Sequence, residues 1–325
     1  MHRPTSKFGL GALALAVAGA ALAYGLFRRD LAAARGRLAG ASEIAATSCG
    51  PVEYAAVGSG SPVLLVHGAG GGFDQGLAIG GSLAAHGHRV IAMSRFGYLR
   101  TPLPADASAA AQADAHACLL DALGIDRAAV VGVSAGAPSA LQLAVRHPER
   151  VSALVLMVPA AYVPRAGGAA AVRTPPGTVR LFDTALRSDF LFWAIRQAAP
   201  TLMIRGLLGT PPELVEHADA VEGARVAAML DEILPVSDRR LGLLNDAAVT
   251  INIARYALEE VSAPTLTISA ADDLYGTYDA ARYTAEQISG ARFIGYPDGG
   301  HMLVGHNAEA TNAIAELLAA TRDAQ

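Results

Sequence analysis

Ser134, held between two glycines in Gly132-Val133-Ser134-Ala135-Gly136, is the residue of this chain best suited to covalent chemistry. The residues before it, Val130-Val131, have strand character, and a helix-like segment follows. A serine on so tight a strand-to-helix turn has its hydroxyl pushed clear of the sheet, beside a backbone N–H at a helix start. Glycines at 132 and 136 suit a turn that is crowded on both sides of a strained central residue. A hydroxyl is a weak nucleophile at neutral pH. It needs a base, a group that orients the base, and donors for a developing oxyanion. The chain offers candidates for each: Asp272-Asp273, His301 in Pro297-Asp298-Gly299-Gly300-His301, and the turn His67-Gly68-Ala69-Gly70-Gly71-Gly72.

Each candidate sits just past a segment that reads as a strand, buried in the first two cases. Pro62-Val63-Leu64-Leu65-Val66 precedes the glycine-rich turn, residues 264–271 precede the aspartate pair, and residues 291–296 precede the histidine turn. Further strands are expected over 88–94, 128–133 and 153–158, and helices over 75–86, 107–123, 136–146, 278–288 and 307–321. Strands alternating with helices of this length predict an α/β fold with a mostly parallel sheet flanked by helices. Such a sheet gathers ligands at the C-terminal ends of its strands, where all four features fall. The alternation stops between residues 161 and 261. Helix-like sequence there is broken at Gly167-Gly168, Pro175-Pro176 and Pro211-Pro212, and predicts a helical cap.

With these pieces in order, residues 52–320 resemble the α/β-hydrolase superfamily, in the branch of esterases, carbon–carbon-bond hydrolases and haloperoxidase-like enzymes. The resemblance rests on the His-Gly turn at 67–68, the glycine-flanked serine, Arg146-His147-Pro148-Glu149-Arg150-Val151, Asp272-Asp273 and Gly300-His301. It implies Ser134 as nucleophile, His301 as general base, and Asp273 as the acid orienting it, with Asp272 the rival for that place. It also implies oxyanion donors in the N–H groups of Ala135 and of Ala69, with Gly70 a close second choice. Where many relatives carry Asp-x-Arg-Gly-x-Gly-x-Ser, this chain has Ser94-Arg95-Phe96-Gly97-Tyr98-Leu99-Arg100-Thr101, a loop kept in outline but not in charge. Val133 is apolar where several lipase and esterase branches are polar, so it assigns no subfamily.

Other residues read more plainly. His67 is expected to be a structural turn residue, His306 to begin the last helix, and Asp298 to shape the Gly-Gly-His turn. Phe73 stands where a dinucleotide fingerprint needs Gly or Ala, and no Gly-Lys-Ser/Thr follows, so the glycine run is not a phosphate cradle. No cofactor or metal is implied, since His86-x-His88 has no third ligand at suitable spacing. A net charge of −4 leaves no basic footprint for nucleic acid. Cys49 and Cys118 are expected as two unpaired thiols.

The N-terminus differs from the rest. Residues 8–27 are an uncharged run of 20 residues, closed by Arg28-Arg29. As a helix such a run would match the hydrocarbon core of a bilayer. The expectation is a single-span membrane anchor, with a cleaved signal segment (small residues at Ala21-Leu22-Ala23) as the alternative. The expected organisation is residues 1–30 anchor or signal, 31–46 linker, 47–160 first half of the core, 161–261 cap and 262–325 second half. The expected activity is hydrolysis of an apolar ester or related acyl substrate through an acyl-enzyme. Carbon–carbon hydrolysis, cofactor-free perhydrolase chemistry, and a non-catalytic membrane-tethered binding protein are the alternatives.

Overall fold

A computed structural model describes residues 7–164, 183–251 and 253–323. After a first helix, α1 (Lys7–Leu38), come β1 (Glu43–Thr47), β2 (Gly50–Val57) and β3 (Ser61–Val66). Regular alternation follows: α2 (Phe73–Ala85), β4 (His88–Met93), α3 (Ala109–Ala122), β5 (Ala128–Val133), α4 (Ala137–Arg146) and β6 (Val151–Met157). A helical insertion holds α5 (Asp189–Ala198), α6 (Pro200–Leu207), α7 (Pro212–His217), α8 (Ala220–Glu232) and α9 (Arg240–Ile251). The core resumes with β7 (Thr265–Ala270), α10 (Thr277–Gln287), β8 (Arg292–Tyr296) and α11 (Asn307–Asp323). The expected breaks at Gly167-Gly168 and Pro175-Pro176 lie outside the described residues.

The strands form one sheet in the order β1-β2-β4-β3-β5-β6-β7-β8. The β1–β2 and β2–β4 pairs are antiparallel and every later pair is parallel. Strands β5 and β7 are buried at every position, as expected where helices cover both faces. Alternate residues divide between two cores. Leu64, Val66, Val130 and Leu154 pack with α3 and α4, whereas Val63, Leu65, Val131 and Val155 pack with α11 and with Leu83 of α2. That division follows from the two-residue period of a strand.

The insertion has a third core, built on Trp193, Val226, Met229, Leu230 and Leu243, which reaches Tyr98 after β4 and Val304 after β8. It therefore lies over the loops that follow the parallel strands. The end of α1 joins this core through Phe27, Leu31 and Ala34. Phe27 meets Phe190 edge-on at 5.2 Å, the Trp193 indole N–H donates to Asp30 at 2.9 Å, and Arg37 donates to the Asp231 carbonyl at 3.1 Å.

Two expectations are corrected here. No helix among the described residues is long and apolar enough to cross a membrane, so the single-span anchor over residues 8–27 is not upheld. The helix carrying that run continues without a break through Arg28, Arg29 and Asp30, and its buried positions, Phe27 among them, are covered by protein. Cys49 and Cys118 are not free thiols. They form a disulfide that ties the β1–β2 turn to α3.

Candidate active site

Ser134 follows β5 directly, with φ of +49°, a left-handed conformation that costs a side-chain-bearing residue about 1–3 kcal/mol. Its neighbours explain why the sequence tolerates this. A Cβ at Gly132 would lie 2.6 Å from the Ala140 Cβ, and one at Gly136 would lie 2.4 Å from the Val66 carbonyl oxygen. The approach of α4 to β5 at 132, and of the end of β3 at 136, thus leaves no room for a side chain on either side of the serine. The strain in between turns the hydroxyl out of the sheet.

His301 approaches from the loop after β8, and its Nε2 lies 2.9 Å from Ser134 Oγ. The other ring nitrogen, Nδ1, lies 2.8 Å from Asp273 Oδ2. A carboxylate at Nδ1 places the proton on that nitrogen and leaves Nε2 free to accept from the serine hydroxyl. The Asp273 side chain is fully buried. It also accepts from the Tyr275 N–H (2.8 Å) and the Thr277 hydroxyl. Asp272 points elsewhere and accepts the Gly300 N–H at 2.8 Å, which pins the histidine loop. The pair of aspartates is therefore divided, one to the imidazole and one to the turn carrying it. His306 and Asp298 bond to each other at 2.9 Å, away from the serine.

The insertion touches the base as well. The His301 N–H donates to the Gly209 carbonyl at 3.3 Å and the Met302 N–H to the Thr210 hydroxyl at 3.0 Å. The Tyr275 ring meets the His301 imidazole edge-on at 4.9 Å. Although Tyr275 is half exposed, desolvation first, and then the nearby Asp273 charge, push its phenol up, so it is a neutral ring against His301.

On the other side of the serine lies the glycine-rich turn after β3. A Cβ at Gly68 would come within 3.2 Å of the Ser134 Cβ. The Gly70 N–H donates to the Tyr98 hydroxyl at 3.1 Å, so Gly70 is already engaged. His67 is fully buried, and its Nε2 accepts the Arg95 N–H at 3.0 Å while its Nδ1 meets the Gly68 carbonyl at 2.7 Å. Burial, reinforced by the Arg95 charge, holds its pKa well below the usual histidine value. It is the structural turn residue its setting in the sequence suggested.

Sequence reasoning passed over the polar residues around this turn. Arg95 and Asp246 form a buried two-pronged ion pair at 2.6 and 2.7 Å, although 151 positions separate them. Arg239, fully buried, donates to the Gly71 carbonyl at 2.6 Å and pairs with Asp74 at 2.6 Å. Glu53 of β2 accepts from the Ser94 hydroxyl, the Arg100 N–H and the Arg100 guanidinium at 2.8, 3.1 and 2.7 Å. A carboxylate from a neighbouring strand thus stands in for the one the 94–101 loop lacks. The reduced charge of that loop was the one available signal, since it leaves Arg95 and Arg100 without acidic partners nearby in the sequence.

Behind the serine turn, His116 of α3 is fully buried, with Nε2 3.0 Å from the Ser139 hydroxyl, which donates to the Gly136 carbonyl. Burial, and secondarily the Arg95 charge, lower His116 from 6.5 to about 3. The unfolded chain takes up this proton near pH 6.5 and the folded chain does not. The stabilisation is therefore complete above pH 6.5 and fades as pH falls towards 3, at about 1.4 kcal/mol per pH unit. Urea unfolding at pH 7, 6 and 5 should show a slope shallower by about one proton in His116→Gln than in the wild type. Equal slopes would contradict a neutral buried His116.

Comparison with known proteins places this geometry in context. A family model for the alpha/beta hydrolase fold matches residues 61–308. A 2-hydroxymuconate semialdehyde hydrolase of Pseudomonas putida is 45% identical over 103 residues, which is 31% of this chain and 37% of that relative. A hydrolase of Bacillus subtilis (strain 168), YcgS, is 26% identical over 281 residues, covering 82% of this chain and 93% of its own. Among solved structures, an alpha/beta hydrolase fold protein from Nakamurella multipartita superposes with a TM-score of 0.64 at 28% identity, over 85% of this chain and 98% of that one.

Proposed function

Since this chain belongs to the α/β-hydrolase family, we propose that it cleaves an ester or related acyl bond of a small apolar substrate through a Ser134–His301–Asp273 triad. The observation that carries this reading is the continuous hydrogen-bonded series from Asp273 through His301 to Ser134, at 2.8 and 2.9 Å. In this mechanism Ser134 Oγ attacks the carbonyl carbon as its proton passes to His301 Nε2. The imidazolium so formed is stabilised by the buried Asp273 carboxylate, which keeps Nδ1 protonated and the ring in place. The N–H groups of Ala135 and Ala69 receive the oxyanion. His301 then protonates the leaving group, and water, activated by the same nitrogen, releases the acyl-enzyme.

A second reading is hydrolysis of a carbon–carbon bond beside a ketone. It is favoured by the 45% identity, over about a third of the chain, to a semialdehyde hydrolase. Both readings use the same three side chains and differ in what leaves. Labelling with a fluorophosphonate, mapped by mass spectrometry, should place the adduct on Ser134. Turnover of short p-nitrophenyl esters against a β-diketone panel then separates the two. Correctly folded protein that takes no label on Ser134 and turns over neither class would overturn both.

A further inference from the structure

The oxyanion turn is gripped from outside by groups that never touch the serine, and the grip has a direction. Its Gly68 carbonyl meets Arg95 Nη2 at 3.1 Å and the His67 Nδ1 at 2.7 Å. Since His67 Nε2 accepts the Arg95 N–H, the ring proton sits on Nδ1 and donates to that same carbonyl. The Gly68–Ala69 peptide is trans, so its N–H points opposite to its C=O. These two side-chain donors, with the Gly71 N–H at 3.4 Å, hold the Gly68 carbonyl and so aim the Ala69 N–H away from them, while Gly68 lies against Ser134. Arg95 also donates to the His67 carbonyl at 2.8 Å, so the guanidinium spans two successive carbonyls of the turn.

Arg95 is oriented in turn by Asp246, on α9 of the insertion, and the Tyr98 hydroxyl donates to the same carboxylate at 2.5 Å. That hydroxyl is the one engaging the Gly70 N–H. A buried ion pair is weak evidence for stability, because desolvation offsets much of the attraction. Its geometric consequence is clearer, since a two-pronged guanidinium–carboxylate pair fixes the plane and position of the arginine.

We propose that Asp246 is a positioning residue for the oxyanion hole. Through Arg95 and Tyr98 it sets the 67–70 backbone so that the Ala69 N–H, and not that of Gly70, meets the developing charge. The inference rests on the proposed serine mechanism and adds to it the insertion's role in turnover. Misaligning an oxyanion donor weakens binding of the transition state more than that of the ground state. Asp246→Asn keeps the side-chain shape but leaves Arg95 without its counter-charge. It should lower kcat for a short p-nitrophenyl ester by about 10- to 100-fold with KM within about threefold. An aryl trifluoromethyl ketone, whose serine adduct carries an oxyanion, should lose affinity by a similar factor.

Tyr98→Phe removes only the hydroxyl and serves if Asp246→Asn does not fold. It should lower kcat and ketone affinity together, by about 3- to 10-fold. Folded variants with unchanged kcat, or a drop in kcat with ketone affinity unmoved, would overturn the proposal while leaving the triad standing. A folded wild type inert to both ester and ketone would remove the serine mechanism, and this inference with it.

Discussion

Ser134→Ala lowers kcat/KM for a short p-nitrophenyl ester by about 10⁴-fold or more, with the protein still folded. The size follows from the chemistry. Without Oγ no acyl-enzyme forms, and what remains is the binding and polarisation that Ala135 and Ala69 give a carbonyl attacked directly by water. The fold should survive, because the turn is maintained by close packing around Gly132 and Gly136 and not by the serine hydroxyl. Retained circular dichroism and an unchanged melting temperature, with loss of fluorophosphonate labelling, complete the expected result. A folded Ser134→Ala protein with wild-type turnover would remove the covalent mechanism.

Asp273→Asn is expected to lower kcat by about 10³- to 10⁴-fold. Its carboxylate now receives Nδ1–H of His301, the Tyr275 N–H and the Thr277 hydroxyl. Those neighbours are donors, so an amide NH₂ turned towards them is mismatched, and turned towards the ring it favours the tautomer with Nδ1 bare. The latter orientation takes Nε2 away as the acceptor of the serine proton, and either one lacks the charge that stabilises the imidazolium. Asp272→Asn, by contrast, removes charge from a group bonded to the Gly300 N–H, and an amide oxygen can still accept that bond. Its loss should stay within about tenfold. Steady-state kinetics of the two variants side by side tests the assignment, and a larger loss at 272 than at 273 would reverse it.

The site was legible in the sequence where its parts are local. The glycine-flanked serine is a pattern only five residues long, with Gly132 needed by the approach of α4 to its own strand and Gly136 by the Val66 and His67 carbonyls at the end of the neighbouring strand. The order serine, aspartate, histidine is legible because each of the three closely follows a strand of its own. Choosing between adjacent aspartates is not a local matter. It depends on a turn that brings Thr277 and the Tyr275 N–H to Asp273 and turns Asp272 towards Gly300. Asp246 and Arg239 were invisible because their partners come from the other half of the fold, and an isolated charge on a helix reads as solvated surface. Apolar composition in residues 8–27 does not say which positions are covered: Leu15, Val17 and Leu22 are exposed, and Phe27 at the end of the run is covered by the insertion. The pairing of Cys49 with Cys118 likewise depends on the β1–β2 turn lying beside α3.

The insertion meets both sides of the candidate site. Gly209 and Thr210 bond to the backbone at His301 and Met302, while Arg239 and Asp246 secure the turn on the far side of the serine. The ion pairs are also crossed: a core arginine takes an insertion carboxylate, and an insertion arginine takes the core carboxylate of Asp74. Selectivity and reactivity are consequently hard to inherit separately in this chain. A chimera given a foreign lid for a new substrate would lose half of each ion pair, and would need the matching residues at 74 and 95 transplanted along with it.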